Sequence, residues 1–71
     1  MAYEDARYLE VAQLACELER GKQWKEASKH WLQATKYATI RNNATWSEGR
    51  AQYCAVRAGI RFTPLLHKEP T

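Results

Sequence analysis

The stretch Leu18-Glu19-Arg20-Gly21-Lys22-Gln23-Trp24-Lys25-Glu26-Ala27-Ser28-Lys29-His30-Trp31-Leu32-Gln33-Ala34 decides the fold. Trp24, Ala27, Trp31, Ala34 and then Ala38 recur at alternating intervals of three and four, which places large and small residues on one stripe of a helix. Alanine gaps beside tryptophan knobs let a neighbouring helix approach closely. This spacing predicts a helix over about 22–39. Upstream, residues 3–20 are rich in Ala, Leu and Glu and run into Gly21, the residue type that most easily takes the left-handed conformation past a helix end. They predict a first helix, and the short link around Gly21 makes the two an antiparallel αα-hairpin.

On the first helix, Tyr8, Leu9, Val11, Ala12, Leu14, Ala15, Cys16 and Leu18 fall on one broad arc, leaving Glu10, Gln13, Glu17 and Arg20 on a narrow polar strip. One neighbour cannot cover so wide an arc. Its outer part, Tyr8, Leu9, Ala12 and Cys16, is therefore assigned to a partner or to a second copy of the chain.

After the second helix, Ile40, Arg41, Asn42 and Asn43 form a break. Thr45 and Glu48 have the spacing of a capping box, with Asn43 as a competing cap, and predict a third helix over about 45–58. Trp46, Gly49, Tyr53, Val56 and Ile60 repeat the three-four rhythm and predict its inward face, with Gly59 as the stop. The expected core is Leu18, Trp24, Ala27, Trp31, Ala34, Trp46 and Tyr53. Residues 61–71 contain Pro64 and Pro70 and no helical period, so they predict an extended tail. Its apolar residues Phe62, Leu65 and Leu66, with Ile60, are expected at a partner or dimer interface. The expected architecture is all-α: a hairpin, a third helix and a tail in a single domain spanning 1–71.

A chain of 71 residues buries only about 60% of the surface its unfolded form exposes, so a thin core, helped by large aromatics or by homodimerisation, is expected. No apolar run approaches the roughly 20 residues of a membrane span. Glu4, Asp5, Arg7 and Glu10 stand where a signal peptide would need apolar residues, so a cytoplasmic protein is expected. Cys16 and Cys54 are far apart and flanked by alanines, which assigns them to packing rather than to a redox or metal pair.

The net charge of +3 is unevenly spread. Residues 1–20 carry an excess of acids, and residues 21–61 a larger excess of Lys and Arg. Lys22, Lys25, Lys29 and Lys36 fall within a sector of about 60° at about 100° per residue, opposite the tryptophan seam. That ridge, with Arg50 and Arg57, reads either as a solvated face or as a contact for acidic partners or nucleic acid. Arg50, at the edge of the third seam, is assigned equally to a salt bridge with the first helix and to a partner contact. No convergent catalytic set, Gly-rich phosphate loop or local metal-ligand spacing is present, so no enzyme activity, cofactor or metal is expected.

The pattern Leu18-x-x-Gly21-x-x-Trp24-x-x-Ala27-x-x-x-Trp31-x-x-Ala34 resembles part of a tetratricopeptide repeat, although only one such unit fits and solenoids need about three. With Asn43, Trp46, Arg50 and Cys54 added, the stretch from about Ala15 to Cys54 resembles the ANR family, the AraC negative regulators of enteric pathogens and their phages. PerC-like regulators share a similar tryptophan-rich layout. The resemblance implies a small helical protein that binds an AraC-type transcription activator, blocks its dimerisation or DNA binding and lowers virulence gene expression. For some members it also implies links to nucleoid proteins of the H-NS type. The alternative is a regulator that binds DNA directly, or activates as PerC-like proteins do, through basic residues of the second and third helices. No helix-turn-helix pattern supports it.

Overall fold

Three helices follow from the local chemistry of their ends. A computed structural model describes residues 3–60, in which α1 spans Ala6–Arg20, α2 Trp24–Tyr37 and α3 Arg41–Ala58, with no strand among the described residues. The expected tail 61–71, with Phe62, Leu65 and Leu66, lies outside the described residues.

Asp5 caps α1: its carboxylate accepts the Arg7 backbone N–H at 2.7 Å and the Arg7 guanidinium at 2.8 Å. At the other end Gly21, expected to supply the left-handed residue, has φ −80°, and Lys22 takes that conformation at φ 60°. The reason is the register of the turn. The Gln23 N–H donates to Leu18 O at 2.9 Å and the Lys22 N–H to Glu19 O at 2.9 Å, the paired bonds that put the residue after the cap in the left-handed region. A side chain there is strained by about 1 kcal/mol. Lys22→Gly is therefore expected to raise the urea midpoint, and an unchanged midpoint would show that the turn holds no strain.

Helix α2 starts at Trp24, so Lys22 belongs to the turn rather than to a helical lysine ridge. Helix α3 starts at Arg41 with Ile40 in the cap position, ahead of the expected start at 45. Neither Asn43 nor the Thr45–Glu48 pair caps it. A distant carboxylate instead pins the turn that precedes it: Glu4 accepts from Thr39 N and Thr39 Oγ1 at 2.7 Å each, Asn43 Nδ2 at 2.8 Å and Ile40 N at 3.1 Å, while the first turn of α3 itself has no side-chain cap. Burial alone would push the Glu4 carboxyl up, but the bonds from the Thr39 backbone, Asn43 and the Thr39 hydroxyl together bring it from 4.5 to about 2. A carboxylate with a lowered folded pKa stabilises fully above its unfolded pKa and loses that contribution as pH falls through its folded pKa. Stability is thus expected to fall between pH 4.5 and about 2. The decline should be shallower in Glu4→Gln, as urea midpoints across that range would show.

Helix α3 stops at Gly59, which adopts φ 74°. Helix α2 is the central element and packs against both α1 and α3. The core joins Tyr8 and Ala15 of α1, Ala27, Trp31 and Ala34 of α2, and Ala51 and Cys54 of α3. Leu18 and Trp24 are half-buried against it.

The inward face of α3 differs from the expected one. Ala44, Ser47, Glu48, Ala51, Cys54 and Ala55 are buried, whereas Trp46 is 59% exposed, Tyr53 43% and Val56 67%. Trp46 and Tyr53 are thus not core residues, and Gly49 and Ile60 also face outward. Both stripes of α3 repeat at three and four, and the shape of α2 chooses between them. Trp31, 2% exposed, is the knob of this interface, so α3 has to offer small residues as its holes. Two hydroxyls complete the seam: Thr35 Oγ1 and Ser47 Oγ lie 2.8 Å apart, and one donates to the other while the second donates to a helix carbonyl of its own, Trp31 O or Asn43 O, each at 2.9 Å. Tyr8, expected on the outer arc, is only 5% exposed and donates its hydroxyl to Asn43 O at 3.3 Å.

Candidate protein-binding groove

Both α1 and α3 run antiparallel to α2, and therefore run the same way as each other. Their cross-links advance in step: Tyr8 reaches Asn43, and Glu19 reaches Arg50 and Cys54. Because their backbones approach each other little, the space between them is an open groove floored by α2. Its upper part, about 410 Å³, is lined by Cys16, Glu19, Arg20, Trp24, Trp31, Trp46 and Arg50. Its lower part, about 360 Å³, is lined by Tyr8, Leu9, Ala12, Gln13, Cys16, Glu17, Arg20, Trp31 and Trp46.

Glu19 organises the groove. Its carboxylate accepts from Trp31 Nε1 at 3.0 Å, Arg50 Nε at 3.3 Å and the Cys54 thiol at 3.5 Å, and its other oxygen pairs with Arg50 Nη2. One carboxylate thus fixes a residue of α2 and two of α3, and positions the floor and one wall together. Arg50 makes the salt bridge to α1 and still lines the groove. Burial pushes the Cys54 thiol up, against the opposing field of Arg50, so this sulfur stays a protonated donor.

From the α3 wall outward, through Tyr53 and Arg57 beyond the groove lining, aromatic rings and guanidinium groups alternate. The Arg50 guanidinium lies 4.6 Å from the Tyr53 ring centroid and 5.6 Å from that of Trp46. Arg57 lies 4.8 Å from the Trp24 ring and 5.8 Å from Tyr53, and Trp24 meets Tyr53 edge-on at 5.9 Å. Stacking of this kind holds exposed rings in fixed orientations, so the wall is ordered before anything binds.

Of the α1 residues assigned to a partner, Leu9 is exposed on the groove wall, Ala12 and Cys16 are half-buried along it, and Tyr8 closes its lower end. Ile60 is exposed just past α3, and neither stretch of the groove includes it. Lys22, Lys25, Lys29 and Lys36 are all exposed. None of them lines the groove; Lys29 pairs with Glu26 at 3.7 Å, and with Lys36 it borders a separate depression beside Leu32 and Tyr37. Sequence reasoning missed Glu19 and Arg20 as groove residues. The signal for Glu19 was its register, since Tyr8, Ala12, Ala15 and Glu19 share one helical face, where a lone carboxylate needs a donor.

Among the described residues no helix is long and apolar enough to cross a membrane, and no three His, Cys, Asp or Glu side chains gather as a metal site. Compared with family models, with curated proteins and with solved structures, the chain matches none of them.

Proposed function

We propose that this chain is a small cytoplasmic regulator of transcription that represses an AraC-type virulence activator by binding the activator itself and blocking its dimerisation or DNA binding. The observation that carries this reading is the groove, with an apolar floor at Trp31, an exposed Trp46 and ordered arginines on its wall. Trp, Tyr and Arg dominate the residues that supply binding energy in protein interfaces, and an open trough between two helices suits an amphipathic helix. The likeness to AraC negative regulators supplies the class of partner, and extends it to an H-NS-type nucleoid protein. In this reading the protein is a homodimer, with Ile60, Phe62, Leu65 and Leu66 in its contact.

The test is a gel shift in which the protein is titrated into a cognate AraC-type activator bound to its labelled promoter, beside a lane without activator. Loss of the activator complex with an unshifted control supports antagonism between proteins. A retained complex, or a shift by this protein alone, would sink the reading in favour of direct DNA binding or PerC-like activation through Lys22, Lys25, Lys29, Lys36, Arg50 and Arg57. Because Trp46 is exposed, Trp46→Ala is expected to change thermal stability by less than about 1 kcal/mol. It should weaken antagonism about tenfold or more, the effect of losing an aromatic anchor. A variant with full antagonism would take Trp46 out of the binding surface.

A further inference from the structure

We infer that the groove accepts a helix in one direction only: an amphipathic segment of about three turns, running with α2 and against α1 and α3, whose first turn carries Asp or Glu facing Arg20 and Arg57. This rests on the reading of the groove as a protein-binding site and names the chemistry of its occupant. The length follows from the walls. Leu9 to Arg20 on α1 and Trp46 to Arg57 on α3 each extend about 16 Å at about 1.5 Å per residue. The lower end is closed by Tyr8 bonded to Asn43 and by Glu4 bonded across the residues that open α3.

Polarity follows from unbalanced charge at the upper end. Arg20 is the last residue of α1, and Arg57 lies in the last turn of α3 over the ring of Trp24. Both are exposed. Among the described residues Arg50 is matched by Glu19, Arg7 by Asp5 and Lys29 by Glu26, whereas Arg20 and Arg57, like Lys22, Lys25, Lys36 and Arg41, have no carboxylate within bridging distance; of these Arg20 lines the groove and Arg57 adjoins it over the ring of Trp24. Of the two nearby carboxylates, Glu19 is already committed to Arg50 and Trp31, and Glu17 lines the lower stretch without an ion pair to Arg20. Carboxylates brought to this end would meet two unmatched guanidinium groups. If they belong to the first turn of the incoming helix, they also sit at the positive end of its own dipole, which in turn faces the carbonyl ends of α1 and α3. The opposite direction would bring carbonyl ends together at the upper end and leave the acidic first turn at the closed end, away from both arginines.

Two labelled synthetic peptides of about 14 residues and identical composition test this, with apolar residues at i, i+3, i+4 and i+7 and both ends blocked. One carries two Glu in its first turn and two Lys in its last; the other exchanges them. Fluorescence anisotropy at low salt is expected to show the acid-first peptide bound about tenfold tighter or more, with the preference shrinking at high salt. Arg20→Glu combined with Arg57→Glu should erase or reverse the preference; both side chains are exposed, so the loss of helix-end charge and of the Arg57 ring contacts should lower the melting temperature by only a few degrees and leave the domain folded in the assay. Equal affinities, or tighter binding of the acid-last peptide, would overturn the polarity and leave the groove as a protein site. Saturable binding of neither peptide would overturn the polarity and the groove together. Displacement of the bound peptide by a short oligothymidine would overturn the inference by making the aromatic wall a surface for stacked bases.

Discussion

Trp31→Ala is expected to abolish the cooperative fold, or to lower its melting temperature by about 20 °C or more. Trp31 is 2% exposed, is the largest fully buried side chain among the described residues, and is the knob around which the small residues of α3 are arranged. Truncating a buried Trp costs about 3–5 kcal/mol. A domain of 71 residues has a total stability of about 4–10 kcal/mol, so this one cavity consumes from about a third of it to all of it. Trp31→Phe should fare better, because a ring still fills most of the space, yet it strands an acceptor on Glu19. Circular dichroism melting of both variants checks the order. An alanine variant within about 1 kcal/mol of the parent would show that the helices close up around the gap and that the tryptophan is not the keystone of packing.

The second large effect is expected at Glu19. Glu19→Ala leaves the Trp31 indole N–H and the Arg50 guanidinium without their acceptor in a half-buried site, a loss of about 2–3 kcal/mol. Glu19→Gln keeps an acceptor for the indole and gives up the ion pair, so it should fall between Glu19→Ala and the parent. Arg50→Ala in the Glu19→Ala background is expected to cost less than in the parent, with a coupling of about 1 kcal/mol or more read from a double-mutant cycle. Additive losses would mean that solvent satisfies Arg50 as well as the carboxylate does. Antagonism should fall with stability here, which separates Glu19 from Trp46, where binding alone is expected to fall.

The hairpin was legible because its seam has a single solution. Trp24, Ala27, Trp31 and Ala34 form the only apolar stripe on α2, and the lysines mark the opposite face. The third helix was legible as a helix, but its orientation was not. Two stripes with the same rhythm compete there, and the larger residues look like a core until Trp31 is known to fill the interface from the other side. Its start was hidden for a different reason: the turn ahead of it is pinned by Glu4, which no local window contains. The site was half legible. Leu9, Ala12, Cys16 and Arg50 were already marked as surface, but their convergence on one trough depends on α1 and α3 running in parallel across α2, a tertiary fact. Thr35 and Ser47 gave no sign of burial, since hydroxyls returning to their own helix carbonyls look like surface residues in a sequence.

The clasp made by Glu4 also bears on the order in which the chain gains structure as it leaves the ribosome. Its partners Thr39, Ile40 and Asn43 emerge more than thirty residues later, so α1 and α2 can pair through local contacts while the Glu4 carboxylate still waits in water. Thr39 and Ile40 supply three of the four distant donors, and Asn43 of α3, the helix that also brings Trp46 and Arg50 to the groove, completes the clasp. A nascent chain stalled before Arg41 would therefore hold a hairpin with no binding surface. Competence to capture a partner would arrive in one late step, when α3 closes against α2 and α1.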